Sequence, residues 1–89
     1  MKKIKFDEGL ELEIDEMVLD DMEMLDAIVE TQDSNPLKIS VVVRKLLGDK
    51  QRKRLYDYLR EDNGRVPTTK VAEAVTKIFN ALGEEGKNS

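Results

Sequence analysis

An alternating segment, KKIKFDEGLELEI, occupies residues 2–14. Apolar residues take every second position in each half of it, which is the period of a β-strand with one buried face. Asp7, Glu8 and Gly9 lie between the halves and suit a short hairpin turn. The core face of this predicted β-hairpin consists of Ile4, Phe6, Leu10, Leu12 and Ile14. An isolated hairpin is only marginally stable in water, so we expect it to pack on the helices that follow.

Helical spacing replaces the alternation after the hairpin. Asp20 can accept a hydrogen bond from the Glu23 amide, and Leu19 can pack on Met24, which together predict a helix start. The first helix then runs to about Thr31. Its apolar stripe is predicted to face the core and consists of Met22, Leu25, Ile28 and Val29.

A second helix is predicted over residues 36–47, with Ser34 or Asn35 as its N-terminal cap. The β-branched residues 41–43 would also suit a strand, but Gly48 is a good C-terminal helix cap and favours the helix. The inward residues of this helix are predicted to be Ile39, Val42, Val43 and Leu46.

Two more helices complete the prediction. The third covers residues 49–62 and the last covers residues 67–83, with the helix-breaking dipeptide Asn63-Gly64 between them. Their core residues are predicted to be Leu55, Tyr58 and Leu59, then Val71, Ala74, Val75, Ile78, Phe79 and Leu82. Residues 84–89 are expected to form a flexible C-terminal tail. The sequence of 89 residues thus predicts one mainly α-helical, small α+β domain over residues 1–83, with an N-terminal β-hairpin and about four short helices.

The composition excludes several kinds of chemistry. The chain contains no cysteine and no histidine, which rules out disulfides, thiol nucleophiles, imidazole bases and zinc sites built from these residues. We therefore expect no catalytic residues, no metal ligands and no cofactor, and a protein that is not an enzyme. The longest apolar runs have three residues, and no apolar stretch of signal-peptide length follows Met1. We accordingly expect a soluble, cytoplasmic protein without a membrane partner.

Charge is divided between two parts of the chain. Residues 7–33 contain 12 acidic and no basic residues, whereas residues 38–60 contain 8 basic and 2 acidic residues. The two parts can face each other within one molecule, or each can face solvent. They can also pair between molecules, acidic surface on basic surface, which would give head-to-tail homo-oligomers.

Residues 62–66, DNGRV, resemble the bend of a calcium-binding loop. Aligning Gly64 with the sixth loop position places Leu59 at the first position and Lys70 at the last, where calcium requires carboxylates. We therefore predict a structural corner between two helices, with Val66 in the core.

The basic segment KQRKR, residues 50–54, is the candidate for nucleic-acid contact. It follows the second helix and Gly48, so it could be the recognition helix of a small DNA-binding regulator of the helix-turn-helix kind. The acidic residues nearby would oppose phosphate binding, which favours a surface that faces solvent or carboxylates. We expect no nucleic-acid partner but keep four side chains as candidates for partner binding: Lys50, Arg52, Lys53 and Arg54.

Methionine is concentrated around the start of the first helix. Met17 and Met24 share a stripe with Ile28 that adjoins the predicted core stripe. This second stripe can fill the core, or it can form an adaptable apolar surface for a helical partner, because thioethers are flexible and polarizable. Met17, Met24 and Ile28 are therefore candidate partner-binding residues.

The order of these segments resembles the small tail assembly chaperones of long-tailed, non-contractile bacteriophages and prophages of Gram-positive bacteria. A β-prone start is followed by LDDME at residues 19–23, LLG at residues 46–48 and DNGRVP at residues 62–67, before a final amphipathic helix. Many of these chaperones have an aromatic residue where this chain has Met22. The resemblance covers most of the chain and rests on order and spacing, not on one motif.

The resemblance implies a non-enzymatic function in tail morphogenesis. Such chaperones bind the tape measure protein, a very long, apolar, helical chain, and keep it soluble in the host cytoplasm until tail-tube subunits assemble around it. They are absent from the mature virion. Long apolar helices aggregate unless they are covered, which gives this function its physical basis.

The family commonly makes a second, longer product by a −1 ribosomal frameshift. The codons GGA-AAA-AAC would encode Gly86-Lys87-Asn88 and contain the slippery sequence A-AAA-AAC. The resemblance therefore implies a longer product, through which the tail-tube protein would be a further partner.

Overall fold

The structure, a computed structural model, describes residues 2–7, 9–33 and 36–87. Within them, two strands precede three α-helices: β1 is Lys2–Phe6, β2 is Leu10–Ile14, α1 is Met22–Asp33, α2 is Ile39–Leu59 and α3 is Thr68–Lys87. Short 3-10 helices at Glu16–Leu19 and Pro36–Lys38 lead into α1 and α2. The prediction of a mostly helical molecule with an N-terminal β-hairpin is confirmed.

The two strands form an antiparallel hairpin in which Ile4 pairs with Leu12 and Phe6 pairs with Leu10. All the residues predicted for its core face are buried: Ile4, Phe6, Leu10, Leu12 and Ile14. In the described part of the turn, the residue with positive φ is Asp7, at 40°. Aspartate tolerates this conformation better than most residues, because its short side chain can bond locally. The predicted turn residue Glu8 lies outside the described residues.

Helix α1 begins one residue later than predicted and turns a different side to the core. The carboxylate of Asp21, rather than that of Asp20, accepts hydrogen bonds from the amides of Glu23 and Met24, at 2.9 and 3.3 Å. Met24 and Ala27 are buried. Three of the residues predicted to face the core are exposed instead: Met22, Leu25 and Val29. The core face predicted for this helix is therefore wrong.

Charge and small side chains both favour the side of α1 that packs against the core. Asp26 follows Met22 by four positions and lies on the same side of the helix, so burying that side would bring the Asp26 carboxylate toward the core. On the observed side, Ala27 is small, and the Thr31 hydroxyl donates a hydrogen bond to the Ala27 carbonyl oxygen at 2.8 Å. This side can therefore approach α2 closely. Ile28, which belongs to both stripes, is partly buried and packs on the core.

Helix α2 covers the second and third predicted helices. The backbone at Gly48 is non-helical (φ 73°, ψ 177°) and kinks the helix there. The break predicted at Gly48 is present, but the helix resumes without a loop, so the described residues form three α-helices instead of about four. Helix α2 ends at Leu59, before the predicted end at Asp62. The predicted caps Ser34 and Asn35 lie outside the described residues.

Helix α3 supplies the last part of the core. Its buried residues are those predicted, Val71, Ala74, Val75, Ile78 and Leu82, and Phe79 is partly buried. The helix continues to Lys87 and does not end at Gly83, as predicted. A glycine inside a helix costs about 1 kcal/mol relative to alanine, which is too little to end it. Residues 88 and 89 lie outside the described residues, and the mobility of residues 84–89 stays a prediction.

The core lies between the inner face of the hairpin and the helices. Helix α2 is central, because it contacts β2, α1 and α3, while α3 also contacts β1. In the parts of the chain that the structure describes, no helix is both long enough and apolar enough to cross a membrane.

Candidate partner-binding surface

Exposed apolar side chains are concentrated on one face of α1. Met22, Leu25 and Val29 are 69%, 42% and 52% exposed. Their spacing of three and four residues places them side by side along the helix. We call these three residues the α1 stripe. The other large apolar side chains that are exposed among the described residues are Met17 and Leu37, on the 3-10 helices before and after α1.

The side of α1 next to the stripe is acidic. Glu23, Asp26 and Glu30 are exposed there, and α1 contains no lysine or arginine. Glu30 pairs with Lys38 at 3.3 Å. In the described part of the chain, the carboxylates of Glu23 and Asp26 have neither an ion pair nor a hydrogen bond. The α1 stripe therefore lies beside uncompensated negative charge.

The three apolar residues predicted to bind a partner do not share one exposed stripe. Met17 is 63% exposed and Ile28 is partly buried, whereas Met24 is fully buried. Two positions along a helix correspond to a rotation of about 200°, so Met24 and Met22 lie on nearly opposite sides of α1. Met24 therefore fills the core, which is one of the two possibilities that the sequence left open for its stripe, and its neighbour Met22 is exposed.

Of the four predicted basic residues, Arg52 is held by its own helix. Its guanidinium contacts the Asp49 carboxylate at 3.2 Å and lies 5.8 Å from the centre of the Tyr56 ring. Its side chain is only 21% exposed, and its Nε is buried without a hydrogen-bond partner. Arg52 is thus less accessible to a partner than Lys50, Lys53 and Arg54, all of which are exposed.

The basic part of α2 faces acidic side chains of β2. Lys50 and Arg54 line an open hollow together with Glu11 and Glu13. This arrangement matches the first interpretation of the charge pattern, in which the acidic and basic parts of the chain face each other within one molecule.

Gln51 joins α2 to the outer edge of β2, a contact that sequence reasoning missed. Its side-chain oxygen accepts from the Glu13 amide at 2.7 Å, and its side-chain nitrogen donates to the Glu13 carbonyl oxygen at 2.6 Å. One glutamine amide therefore satisfies both backbone groups, as a neighbouring strand would. No sequence signal marks this role, because glutamine is ordinary on a helix surface.

Tyr58 joins α2 to the hairpin turn. Its hydroxyl donates to the Asp7 carboxylate at 3.2 Å, and its ring lies 6.3 Å from that of Phe6. A Cβ at Gly9 would come within 3.2 Å of the Tyr58 ring, so a side chain there would require the ring to shift by a few tenths of an ångström. Partial burial raises the pKa of Tyr58, and the hydrogen bond to Asp7 and the negative charge of Asp7 raise it further.

The DNGRV corner is closed by its own hydrogen bonds. The Asn63 side-chain oxygen accepts from the Arg65 amide at 2.9 Å, and Lys70 contacts the Glu61 carboxylate at 3.2 Å. Gly64 has a φ of 86°. Val66 packs on the core, as predicted. The side-chain oxygens of Asn63 and Glu61 are thus engaged in holding the turn.

Two open hollows border α2 and α3. One, of about 360 Å³, has Arg60 as its charged residue, and the Arg60 guanidinium bonds to the Gly64 carbonyl oxygen and the Asp57 carboxylate. The other, of about 140 Å³, is mainly apolar and includes Ile28, Ile39, Val75 and Phe79. Because Ile28 is three positions from Leu25, this apolar hollow lies next to the α1 stripe.

The α1 stripe, its acidic side and the apolar hollow form one continuous surface, and this is the candidate partner-binding surface. No protein-family model matches this chain, and no curated protein and no solved structure matches it either.

Proposed function

We propose that this protein is a non-enzymatic tail assembly chaperone of a long-tailed bacteriophage, and that its client is the tape measure protein. The ordered resemblance of its segments suggests the client, and the α1 stripe is the observation that carries the proposal. A small protein that leaves three apolar side chains exposed along one helix has a surface suited to a partner.

The proposed client fits this surface by its chemistry. An apolar helix can lay its own apolar face along the α1 stripe, as amphipathic helices do in hydrophobic grooves. The chain as a whole is densely charged, with 38% Asp, Glu, Lys and Arg. Copies bound along the client would therefore present a charged exterior to water and keep the client soluble.

The proposal also states where the protein acts and which partners it binds. The protein acts in the host cytoplasm, in many copies for each client, and is absent from the mature virion. Copies associate with each other through their acidic and basic surfaces. A longer frameshifted product carries the contact to the tail-tube protein.

Co-expression with the tape measure protein of the same phage tests the proposal. We expect the wild-type chain to raise the soluble fraction of the client. The double variant Met22→Gln/Leu25→Gln should do so much less, whereas Glu73→Gln, an exposed change on α3, should retain the effect. A client that stays insoluble with the wild-type chain would contradict the proposal.

A DNA-binding regulator is the second candidate, and the exposure of Lys50, Lys53 and Arg54 favours it. The nearby Glu11 and Glu13 reduce its support, because carboxylates oppose phosphate binding. An electrophoretic mobility assay with duplex DNA separates the candidates. We expect no retardation at physiological ionic strength, and retardation that weakens with added salt would favour the regulator.

A further inference from the structure

The α1 stripe has different chemistry on its two long sides. On one side lie the exposed carboxylates of Glu23 and Asp26, which have no ion pair in the described part of the chain. On the other side lies Ile28, which lines the apolar hollow of about 140 Å³ together with Ile39 and Phe79. A partner that covers the stripe must therefore offer positive charge on one side and an apolar side chain on the other.

A second copy of this chain does not offer that combination. Its own α1 contains no lysine or arginine that could pair with Glu23 and Asp26, and where the two acidic sides meet, like charges repel. Where its exposed apolar side chains Met17 and Leu37 adjoin a lysine, carboxylates of the same copy accompany that lysine. Such a lysine is less available to Glu23 and Asp26 than a lysine on a partner without these carboxylates.

We propose that the α1 stripe binds an amphipathic helix whose apolar face is flanked on one side by lysine or arginine. The apolar face covers Met22, Leu25 and Val29. The basic flank lies against Glu23 and Asp26, and an apolar side chain of the partner enters the hollow beside Ile28. The charge on one side fixes which way the partner helix is rotated about its axis.

This inference rests on the proposed function and deepens it, because it names the class of client segment that binds. Basic flanks would also give specificity, since an apolar helix with acidic flanks would meet repulsion on the same surface.

Synthetic peptides test the inference without the tape measure protein. Three helical peptides would share one leucine stripe and carry lysine, glutamine or glutamate along one flank of it. We expect fluorescence anisotropy with the full chain to show about tenfold tighter binding of the lysine peptide than of the glutamate peptide at low salt. The difference should narrow as salt screens the charges. Equal binding of the lysine and glutamate peptides, or binding of none, would overturn the inference.

Matched variants locate the binding surface. We expect Leu25→Gln to weaken the lysine peptide about tenfold, and Leu37→Gln, an equally conservative change outside the stripe, to alter its binding less than about twofold. We expect Asp26→Asn to weaken the same peptide about threefold, and Glu73→Gln, an exposed change on α3, to leave it unchanged. Circular dichroism confirms that each variant is folded. Equal losses in a variant and its control would overturn the assignment to α1.

Sedimentation of the chain alone tests the alternative occupant. A dimer that Leu25→Gln abolishes would show that a second copy covers the stripe, and would overturn the inference. The outcome of the peptide experiment can also be distinguished from the outcome of the co-expression experiment. If the peptides bind and the tape measure protein stays insoluble, the inference stands and the proposed function falls. If the client becomes soluble and no peptide binds, the function stands and the inference falls.

Discussion

Tyr58 links the second half of α2 to the hairpin turn through the Asp7 carboxylate, the Phe6 ring and the space left by Gly9. Each of these contacts is modest alone, and they act on one side chain. Because the hydroxyl donates to a carboxylate, the contact needs the protonated form of tyrosine. The link is therefore sensitive to alkaline pH.

We expect Tyr58 to ionise at a higher pH than a tyrosine in an unfolded chain, for which the pKa is about 10. Partial burial, the hydrogen bond to Asp7 and the charge of Asp7 all raise the pKa. Because the pKa of Tyr58 is raised in the folded state, the contact of Tyr58 with Asp7 stabilises the fold below a pH of about 10. This stabilisation is lost as the pH rises through the folded-state pKa. The pKa of Tyr58 is obtained from the difference between the tyrosinate absorbance titrations of the wild type and of Tyr58→Phe.

Asp7→Asn is the matched variant for this titration. It removes the negative charge but keeps an oxygen that can accept the hydroxyl proton, so the pKa of Tyr58 should fall partway toward its ordinary value. A Tyr58 component that titrates at or below the ordinary value in the wild type would contradict the prediction.

Gly48 carries the kink of α2 in a conformation that is essentially reserved for glycine. No heavy atom lies within 4 Å of a Cβ built there, so the penalty for a side chain is conformational and not steric crowding. We expect Gly48→Ala to lower the free energy of unfolding by about 1–3 kcal/mol in urea denaturation. A chemically made chain with D-alanine at this position should lose less, because a D residue favours positive φ. Equal stability of wild type and Gly48→Ala would contradict the prediction.

At the scale of single residues, the sequence predicts features that depend on neighbouring residues, but not contacts between distant residues. The break at Gly48 follows from the glycine itself and from the apolar pattern on both sides of it. The link from Tyr58 to Asp7 joins positions 51 residues apart, and nothing near either residue indicates it. The two residues come together only through the packing of the hairpin on α2.

At the scale of elements, α1 shows that apolar spacing alone does not fix the buried face of a short helix. Two neighbouring stripes satisfied the helical period, and counting large apolar residues favoured the one with Met22, Leu25 and Val29. The structure buries Met24 and Ala27 instead, and this leaves the Asp26 carboxylate in solvent. The sequence therefore indicated an exposed apolar surface on this helix, but not the side of the helix on which it lies.

A pair of methionine variants tests the face of α1. We expect Met24→Ala to lower the free energy of unfolding by about 2–5 kcal/mol, because it leaves a cavity in the core. Met22→Ala should change it by less than about 0.5 kcal/mol, since its side chain is 69% exposed. Urea denaturation of both variants provides the measurement. Similar losses in the two variants, or a larger loss for Met22→Ala, would show that the face is assigned wrongly.

A variant at Gln51 tests how the hairpin is attached to α2. We expect Gln51→Ala to lower the free energy of unfolding by about 1 kcal/mol, because it removes two hydrogen bonds to groups that water can partly satisfy. The Glu13 amide should also exchange its hydrogen faster, which NMR can follow. Lys50→Ala, the neighbouring exposed change, should leave that amide unaffected. Unchanged exchange at Glu13 in Gln51→Ala would count against the attachment.

The hairpin and α3 were the elements whose buried faces could be predicted in full. A strict alternation in the hairpin and a wide apolar stripe in α3 each leave one possible buried face. Where two helices share one uninterrupted segment, as at Gly48, the sequence indicates the break but not whether a loop follows. The predicted end of α3 at Gly83 is too early for a similar reason, because a glycine weakens a helix without ending it.

At the scale of the whole molecule, the net charge of −4 conceals two opposed regions. Part of the basic region faces β2 within the same molecule, through Lys50 and Arg54. Arg44 and Lys53 also lie exposed on α2, and Glu23 and Asp26 remain exposed on α1. Opposite charges are therefore still available for contacts between molecules.

We expect the protein to self-associate at low ionic strength and to dissociate as salt is added. Added salt shortens the screening length, which is about 10 Å at 0.1 M salt, so a contact made by exposed charges alone should weaken as salt is added. Light scattering across a salt series measures the average mass. Lys53→Glu should reduce the association, and Lys53→Arg should preserve it. An average mass that stays constant or rises with salt would contradict an assembly held by charge.

The hairpin is synthesised well before the residues on which it packs. At a translation rate of about 5–20 residues per second, the 51 positions between Asp7 and Tyr58 correspond to a delay of roughly 3–10 seconds. During that delay the apolar side of the nascent hairpin has no complete core beneath it. The lysines of β1 and the glutamates of β2 oppose the pairing of each strand with the same strand of a neighbouring polysome chain, because like charges would then lie opposite each other.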